Sequence, residues 1–260
     1  MMQSRTLVRG LVLATLALTS VGTLLLAQQF GGRGGRNMGR SPMPNAPYDG
    51  RYTFARVRFE PFSGGRDLKW DHDYPRAEIH FMKILRELTT VRPRLEGGNI
   101  YAFDEPEIFK YPIAYVSEPG FWTLSETEIV SLRKYIAKGG FLIFDDFADA
   151  YEWANFEARM REVLPNVNIV RLDASHPIFD SFFHIEEKTL VMQHPYRYVS
   201  AEFWGIYEDN DPSKRLIAII NFNNDIGDYW EFSDEGFLPV ELSNEAYKLG
   251  VNYVVYALTH

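Results

Sequence analysis

The sequence contains no cysteine among its 260 residues. Disulfide bonds, thiolate metal ligands and cysteine nucleophiles are therefore excluded. An excess of positive charge is also missing, because 35 acidic residues outnumber 27 Lys and Arg residues and give a formal net charge of −8. A chain with this balance repels phosphate, so neither nucleic acid nor anionic lipid is expected as a broad partner.

Several motifs of catalytic and metal sites are also missing. The sequence has no Gly-x-Ser-x-Gly nucleophile elbow, and its six His residues form no His-x-x-x-His pair that would suit zinc. The oxygen-rich residues Asp145, Asp146, Asp225 and Asp228 would suit Ca²⁺ or Mg²⁺, but the Asp-x-Asp-x-Asp-Gly spacing of a calcium loop is absent. The sequence therefore predicts no catalytic residue, no metal and no cofactor.

Aromatic residues, by contrast, are abundant: 15 Tyr, 19 Phe and 5 Trp make up 15% of the chain. Their rings must pack in a core or line a cleft. A single domain is expected over residues 52–260, since this length fits one large core better than two. Residues 28–51 are rich in Gly, Arg and Pro with almost nothing to bury, and they are expected to be a flexible linker.

The N-terminal segment predicts export. Two arginines precede an uncharged apolar run over residues 10–27, which is the order found in secretory signals. The run also has about the minimum length of a membrane span, and Leu25 is large for the position three residues before a cut after Ala27. Residues 1–27 are therefore expected to be a signal peptide or a signal anchor. In both cases the domain would lie in the periplasm, free or anchored to the inner membrane.

Strand and helix patterns alternate in the first part of the predicted domain. A helix should start at Pro75, a second follows the capping box of Ser125 and Glu128, and a third covers 152–164. Strands are predicted at 53–59, 99–103, 112–117, 141–145 and 167–172. The continuous apolar run at 141–145 is typical of a parallel strand covered on both faces. This order predicts an α/β fold with a doubly wound, mostly parallel sheet.

The pattern changes after Asp173. Strand-like segments now follow one another without predicted helices, at 176–179, 190–194, 203–208 and 215–222. We expect them to form an antiparallel extension of the sheet. A final helix over 243–258 is apolar on one face and should pack back on the sheet.

Polar residues follow several of the predicted strands, and in an open parallel sheet ligands bind beyond the carboxyl ends of the strands. The loops concerned follow the strands at 53–59, 112–117, 141–145 and 215–222. Their side chains predict an acidic cleft with aromatic walls, which would hold a polar ligand. The candidate binding residues are Asp73, Arg76, Glu118, Asp145, Asp146, Trp153, Asp225 and Asp228.

Some candidates at the strand ends also have a structural interpretation. Asp73 is placed to cap the helix that starts after Pro75. Asp146 would be only a solvated strand end. Asp145 directly follows a buried run and would need a partner such as Arg76 if it points inward.

Other features of the candidate loops have a structural interpretation as well. Asp149 and Glu152 have the spacing of a capping box for the third helix. The Asn and Asp residues at 221–228 would form an ordinary Asx-rich turn. Trp153 and Trp230 would belong to the core or to a lid over the cleft.

Six motifs in order point to a family: DYPRAEIHF (73–81), GGFLIFDDF (139–147), YEWANFEARM (151–160), HPIF (176–179), NDIGDYWEF (224–232) and YKLGVNYVVYALTH (247–260). Together they resemble the family known as domain of unknown function 4159, over residues 52–260. The resemblance implies a flavodoxin-like fold similar to class I glutamine amidotransferases. The cysteine of those enzymes follows the third strand, where this chain has Glu118 or its neighbours, so glutamine hydrolysis is not expected. The resemblance also implies von Willebrand A-type membrane proteins as partners, and no activity.

Three hypotheses for the function follow. The first is a membrane-associated binding or scaffold domain outside the cytoplasm, which holds a polar ligand or an envelope protein in the acidic cleft. The second is a hydrolase in which two of the carboxylates act as acid and base, for instance on a glycan. The third is a purely structural subunit. Two carboxylates that face one pocket at roughly 5 to 10 Å would favour the hydrolase.

Overall fold

The computed structural model describes residues 42–260, and these contain seven strands. They are β1 (Ala55–Val57), β2 (Asn99–Tyr101), β3 (Ile113–Ser117), β4 (Phe141–Phe147), β5 (Ile169–Arg171), β6 (Glu202–Tyr207) and β7 (Leu216–Phe222). One sheet holds all seven in the order β2-β1-β3-β4-β7-β6-β5. The strands from β2 to β7 in this order are parallel to each other, whereas β6 is antiparallel to both of its neighbours.

Helices cover both faces of the sheet. They are α1 (Arg76–Leu88), α2 (Glu126–Ala137), α3 (Asp149–Val163), α4 (Ile226–Glu231) and α5 (Val240–Thr259). Alternate residues of β4 enter two separate cores: Ile143 packs in the cluster that contains α1, α4 and α5, and Phe144 packs in the cluster that contains α2 and α3. The continuous apolar run of β4 is explained by this burial on both faces.

The predicted α/β class is confirmed, but the order of the strands differs from the prediction in two places. Segment 215–222, expected in an antiparallel extension, contains β7, which is parallel to β4 and lies beside it. Segment 167–172, expected to continue the parallel sheet, contains β5, which is an antiparallel edge strand. The expected antiparallel strand at 203–208 is confirmed as β6. The strands expected at 176–179 and 190–194 are wrong, because Pro177–Phe179 and Glu187–Val191 form short 3₁₀ helices.

Local signals predicted both ends of α2 correctly. Ser125 Oγ accepts the backbone N–H of Glu128, and the Glu128 carboxylate accepts the backbone N–H of Ser125, so the predicted capping box is confirmed. After α2 the chain turns at Gly139, whose φ of 96° favours glycine. Between residues 42 and 260, no helix combines the length and the apolar character that a membrane span requires. The predicted export segment at 1–27 lies outside the described residues.

The free edge of β2 is covered by the chain that precedes the sheet. Asn45 Nδ2 donates to the carbonyl of Ile100 (2.7 Å), and Asn45 Oδ1 accepts the N–H of Ile100 (2.8 Å). A side-chain amide therefore takes the place of a neighbouring strand. This contact lies within the predicted linker at 28–51, so the contacts of the domain begin before Tyr52.

Candidate functional site

The candidate site lies at the carboxyl ends of the parallel strands. Because β1, β3, β4 and β7 run in one direction, the loops that follow them meet at the same edge of the sheet. The chain connects β1 to β2 on one side and places β3 on the other, so the strand order reverses between β1 and β3. Ligands of open α/β sheets bind beside such a reversal.

A buried ion pair holds the first of these loops. Arg56 of β1 is fully buried, and its Nε donates to the Glu78 carboxylate of α1. Its Nη1 donates to the carbonyls of Trp70 and His72, both at 3.0 Å. These hydrogen bonds of Arg56 fix the loop that ends at Asp73.

Asp145 is a positioning residue between β4 and α4. Its Oδ2 accepts hydrogen bonds from Tyr115 Oη (2.7 Å) and from the N–H of Gly227 (3.0 Å), and its Oδ1 accepts the N–H of Ile226 (3.3 Å). Burial raises the pKa of Asp145 to about 6, and these hydrogen bonds oppose the rise. The carboxylate thus uses its acceptors to hold the first turn of α4.

The prediction that Arg76 pairs with Asp145 is wrong. Arg76 donates to Asp234 at 2.7 Å and to Glu235 at 2.5 Å, and all three side chains are at least one third exposed. The two acids follow α4 and attract the guanidinium outward. Neutral donors rather than a cation therefore satisfy Asp145.

Three further carboxyl groups meet beside Asp145. One oxygen from each of Asp73, Asp225 and Asp228 lies within 4.8 Å of the others, and the three residues are only 7%, 3% and 7% exposed. Burial and mutual repulsion raise the pKa of each well above its usual range. Asp225 Oδ1 accepts the N–H of Asp228 (2.8 Å), but Asp73 Oδ2 has no hydrogen-bond partner among residues 42–260.

The prediction that Asp73 caps α1 is wrong. The residue before α1 is Pro75, and no side chain caps the helix. Asp73 Oδ2 instead lies against Gly227, where a Cβ atom would come within 2.4 Å of it. Glycine at 227 therefore lets the first turn of α4 approach Asp73.

Asp146 completes the group that we call the acidic cluster, which consists of Asp73, Asp146, Asp225 and Asp228. It is half-buried and has a left-handed backbone conformation with φ 59°. Burial, followed by the charges of Asp225 and Glu118, raises its pKa well above the usual range. Asp146 is therefore surrounded by other acids and is more than a solvated strand end.

His194 joins the acidic cluster from a different part of the chain. It is 7% exposed, and a ring nitrogen lies within 4.8 Å of carboxyl oxygens of Asp146 and Asp225. Burial and the nearby Arg197 lower the pKa of His194 to about 4, so the ring is neutral. Since Nδ1 accepts the N–H of Tyr196 (3.2 Å), Nε2 carries the proton, and Nε2 has no partner in the described part of the chain. No motif around His194 pointed to this role.

Glu118 lies in the turn after β3 and is held by two cations. Its φ of 46° is left-handed. Its carboxylate contacts His72 Nδ1 and lies 3.0 Å from Lys69 Nζ. His72 Nε2 lies 2.7 Å from Asp67. Burial lowers the pKa of His72, but Glu118 and other nearby acids have the larger effect and raise the pKa of His72 to about 9.

Trp153 lies in an aromatic group beside the site. Its ring centroid is 4.7 Å from that of Phe222, 5.2 Å from Trp204 and 6.2 Å from Phe147, with which it stacks. This packing agrees with the structural interpretation of Trp153. Of the eight predicted residues, the structure brings together six and places Arg76 and Trp153 elsewhere.

Only one of the two bonds of the predicted capping box of α3 forms. Asp149 Oδ1 accepts the N–H groups of Tyr151 (2.9 Å) and Glu152 (3.1 Å). Glu152 Oε2 accepts the N–H of Ala148 (2.7 Å) instead of that of Asp149. Arg197 donates to the other oxygen of Glu152 at 3.1 Å. Asp149 and Glu152 therefore both accept backbone N–H groups at the start of α3 and stabilise it.

The site concentrates acidic side chains in a small, largely buried volume. Within the described residues, none of the four acids of the acidic cluster forms an ion pair with Lys, Arg or His, and neither does Asp145. Acids elsewhere in the same region are paired, as Glu78 is with Arg56 and Glu118 is with Lys69. The acidic cluster therefore suits a group that brings positive charge or hydrogen-bond donors.

A search of curated proteins gives no match to this chain. The model of the family described as "Domain of unknown function (DUF4159)" matches residues 53–258. Because this match covers most of the chain, the protein belongs to that family.

Proposed function

We propose that this domain is a binding domain whose acidic cluster takes a polar ligand that carries positive charge. The observation that supports this proposal most directly is the burial of carboxyl groups without a cation. Asp73, Asp225 and Asp228 are more than nine-tenths buried, and Asp73 Oδ2 has no partner among the described residues. Buried acids cost folding free energy unless they are paired or protonated, so a cationic ligand would offset that cost.

The walls of the site support a ligand of some size. Aromatic rings lie on the side of Lys69, which pairs with Glu118: the centroid of the Phe121 ring lies 4.4 Å from Lys69 Nζ. Phe62 stacks on Phe121 with centroids 5.7 Å apart, and Tyr151 contacts Phe62 edge to face at 5.9 Å. Aromatic faces bind both sugar rings and organic cations. An amino sugar combines the two properties, and we take it as the model ligand class.

We also propose that the fold is flavodoxin-like and related to class I glutamine amidotransferases. The parallel order β2-β1-β3-β4 and the left-handed turn at Glu118 after β3 support this relation. The residue in that turn is a carboxylate held by His72 and Lys69, and the chain has no cysteine. The site therefore supports binding better than thiolate chemistry.

The distances within the acidic cluster favour binding over glycan hydrolysis. Oxygens of Asp73, Asp225 and Asp228 lie within 4.8 Å of one another. Retaining glycosidases separate their two carboxyl groups by about 5 to 5.5 Å, and inverting ones by about 6.5 to 9.5 Å. The spacing of these three acids is therefore too short for the water molecule that an inverting enzyme holds between its carboxyl groups.

For the location, we propose that the domain acts outside the cytoplasm at the inner membrane, beside von Willebrand A-type membrane proteins. Support comes from the pattern of residues 1–27 and from the family resemblance. Fractionation of cells that express the chain with a C-terminal tag tests this proposal. Accessibility to protease added to spheroplasts is expected, and protection from that protease would contradict it.

The binding proposal is tested with two probes of the same sugar backbone, a glucosamine tetramer, whose amines carry positive charge, and its fully N-acetylated form, whose amides are neutral and bulkier. The full-length chain, purified in detergent, is titrated with each by calorimetry. We expect the amine tetramer to bind and the acetylated tetramer to bind at least about tenfold more weakly, because buried carboxylates attract a cation strongly.

Two variants complete the binding test. Asp225→Asn should abolish the preference for the amine tetramer, while Asp180→Asn, a change at an exposed acid remote in sequence from the site loops, should keep it. Binding of neither tetramer by the wild type, or an Asp225→Asn variant that keeps the wild-type preference for the amine tetramer, would contradict the proposal. Shorter sugars in the same mixtures would favour the hydrolase instead.

A further inference from the structure

We infer that Asp73, Asp225 and Asp228 form a binding site for a calcium ion. This inference deepens the proposed function, on which it rests, because it names the positive charge that the acidic cluster takes. The sequence offers Asp145, Asp146, Asp225 and Asp228 for Ca²⁺ or Mg²⁺ but predicts no metal, since the spacing of a calcium loop is absent.

The separation of the oxygens fits one ion. One carboxyl oxygen from each of the three acids lies within 4.8 Å of the other two. Calcium binds oxygen at about 2.3 to 2.6 Å, so two oxygens on one ion are at most about 5 Å apart. The three acids can therefore bind one ion with small shifts of their side chains.

Two buried polar atoms, one in this group and one beside Asp225, lack a hydrogen-bond partner among residues 42–260. Asp73 Oδ2 belongs to a residue that is 7% exposed and has no hydrogen-bond partner in the described chain. His194 Nε2 is equally buried and unpartnered, and the His194 ring lies beside Asp225. The N–H of His194 needs an acceptor, which an oxygen ligand on the ion, such as water, would supply.

The backbone is shaped to bring the acids together. Gly227 lies between Asp225 and Asp228 in the chain, and a Cβ at 227 would be 2.4 Å from Asp73 Oδ2 and 2.8 Å from Tyr115 Oη. Asp145 holds the N–H groups of Ile226 and Gly227 from the other side. The position of α4 against Asp73 is thus fixed by packing and by hydrogen bonds.

The available ligand atoms select a hard cation. His194 Nδ1 already accepts a backbone N–H, and both ring nitrogens of His72 contact carboxylates, so neither ring offers a free lone pair. The remaining atoms that could bind a metal are carboxyl oxygens, which suit Ca²⁺ or Mg²⁺ rather than Zn²⁺. Mg²⁺ usually keeps several of its waters, and a site that is more than nine-tenths buried favours Ca²⁺ instead.

The experiment titrates CaCl₂ into the full-length chain in detergent, after EDTA treatment and in the absence of any sugar. We expect one calcium ion per chain and a rise in melting temperature at calcium concentrations about 100 times the dissociation constant. MgCl₂ should bind more weakly, and tighter binding of Mg²⁺ than of Ca²⁺ would overturn the choice of calcium.

Variants assign the ion to the three acids. Asp73→Asn and Asp228→Asn should each weaken calcium binding at least about tenfold, since each removes one of three charged ligands. Asp180→Asn is the matched control and should bind like the wild type. Melting curves in EDTA show whether each variant folds, so a loss of binding in a folded variant supports the site.

Two results would overturn the inference: a wild-type chain that binds neither ion, or Asn variants that bind calcium unchanged. The proposed function is judged separately by the glucosamine titration. If calcium does not bind and the amine tetramer does, only the inference of a calcium site is refuted. If calcium binds and neither tetramer does, the calcium site is supported and the proposed organic ligand is refuted.

Discussion

Tyr115 Oη donates a 2.7 Å hydrogen bond to Asp145 Oδ2, and this bond joins β3 to the acid that holds α4. Both side chains are buried. We expect Tyr115→Phe to lower the free energy of unfolding by about 1 to 3 kcal/mol, because a buried carboxylate loses a donor. Urea unfolding followed by tryptophan fluorescence measures this change.

The control for this prediction is Tyr198→Phe, which removes a hydroxyl from a fully exposed ring. It should change the free energy of unfolding by less than about 0.5 kcal/mol. Equal effects of the two substitutions would mean that the bond between Tyr115 and Asp145 contributes nothing to stability.

The effect of Asp228→Asn on stability should change sign between EDTA and excess calcium. In EDTA the substitution removes one of several mutually repelling acids, so we expect the free energy of unfolding to rise by about 0.5 to 2 kcal/mol. In excess calcium the wild type gains binding energy that the variant lacks, and the order should reverse. Melting temperatures in both buffers test this reversal. A variant that is less stable in EDTA would contradict the repulsion that we infer.

Glu231 should make stability fall as pH rises. Burial raises its pKa from 4.5 to about 7, with Arg76 opposing the shift and Glu235 adding to it. The folded state therefore holds this proton more tightly than the unfolded state does. The stability that Glu231 contributes is fully present below about pH 4.5 and is lost as pH rises through about 7, a change of about 3 kcal/mol.

The substitution Glu231→Gln tests this dependence. The variant should be more stable than the wild type at pH 8, and the difference should vanish near pH 4. Glu187→Gln, at an exposed position, is the control and should follow the wild-type curve. Urea unfolding at a series of pH values gives the curves, and parallel curves for Glu231→Gln and the wild type would refute the assignment.

Glu78→Gln should be among the most damaging single substitutions in the chain. It leaves the fully buried Arg56 without its counter-charge, and breaking a buried pair costs about 3 to 5 kcal/mol. The matched control is Glu105→Gln, which breaks the surface pair with Arg58 and should cost less than about 1 kcal/mol. Similar losses in the two variants, measured by urea unfolding, would contradict the role of Arg56 in fixing the loop before Asp73.

The class of fold was predictable because its strands carry local signals, but their order was not. The apolar runs of β4 and β7 are alike, and both belong to parallel strands buried on two faces. Between them in the chain lie α3, β5 and β6, and no local pattern shows that β7 passes β5 and β6 to pair with β4. Pairing across a connection of this length depends on how whole faces pack, which periodicity does not encode.

The candidate site was predictable in its acids and not in their partners. The rule for strand ends selected Asp73, Asp145 and Asp225 correctly as neighbours. His194 was missed because it comes from an irregular segment without a motif. The expected pairing of Arg76 with Asp145 failed because Asp234 and Glu235, which lie just after α4, compete for the same guanidinium.

The bonds from Asp145 to Ile226 and Gly227 span 81 and 82 residues of the chain. Closing so long a loop costs conformational entropy, so we expect the contact to form after β7 has paired with β4. We therefore expect the acids of the site to come together late in folding. Substitutions there should act mainly on the rate of unfolding, and the speed of folding should depend on the strands alone.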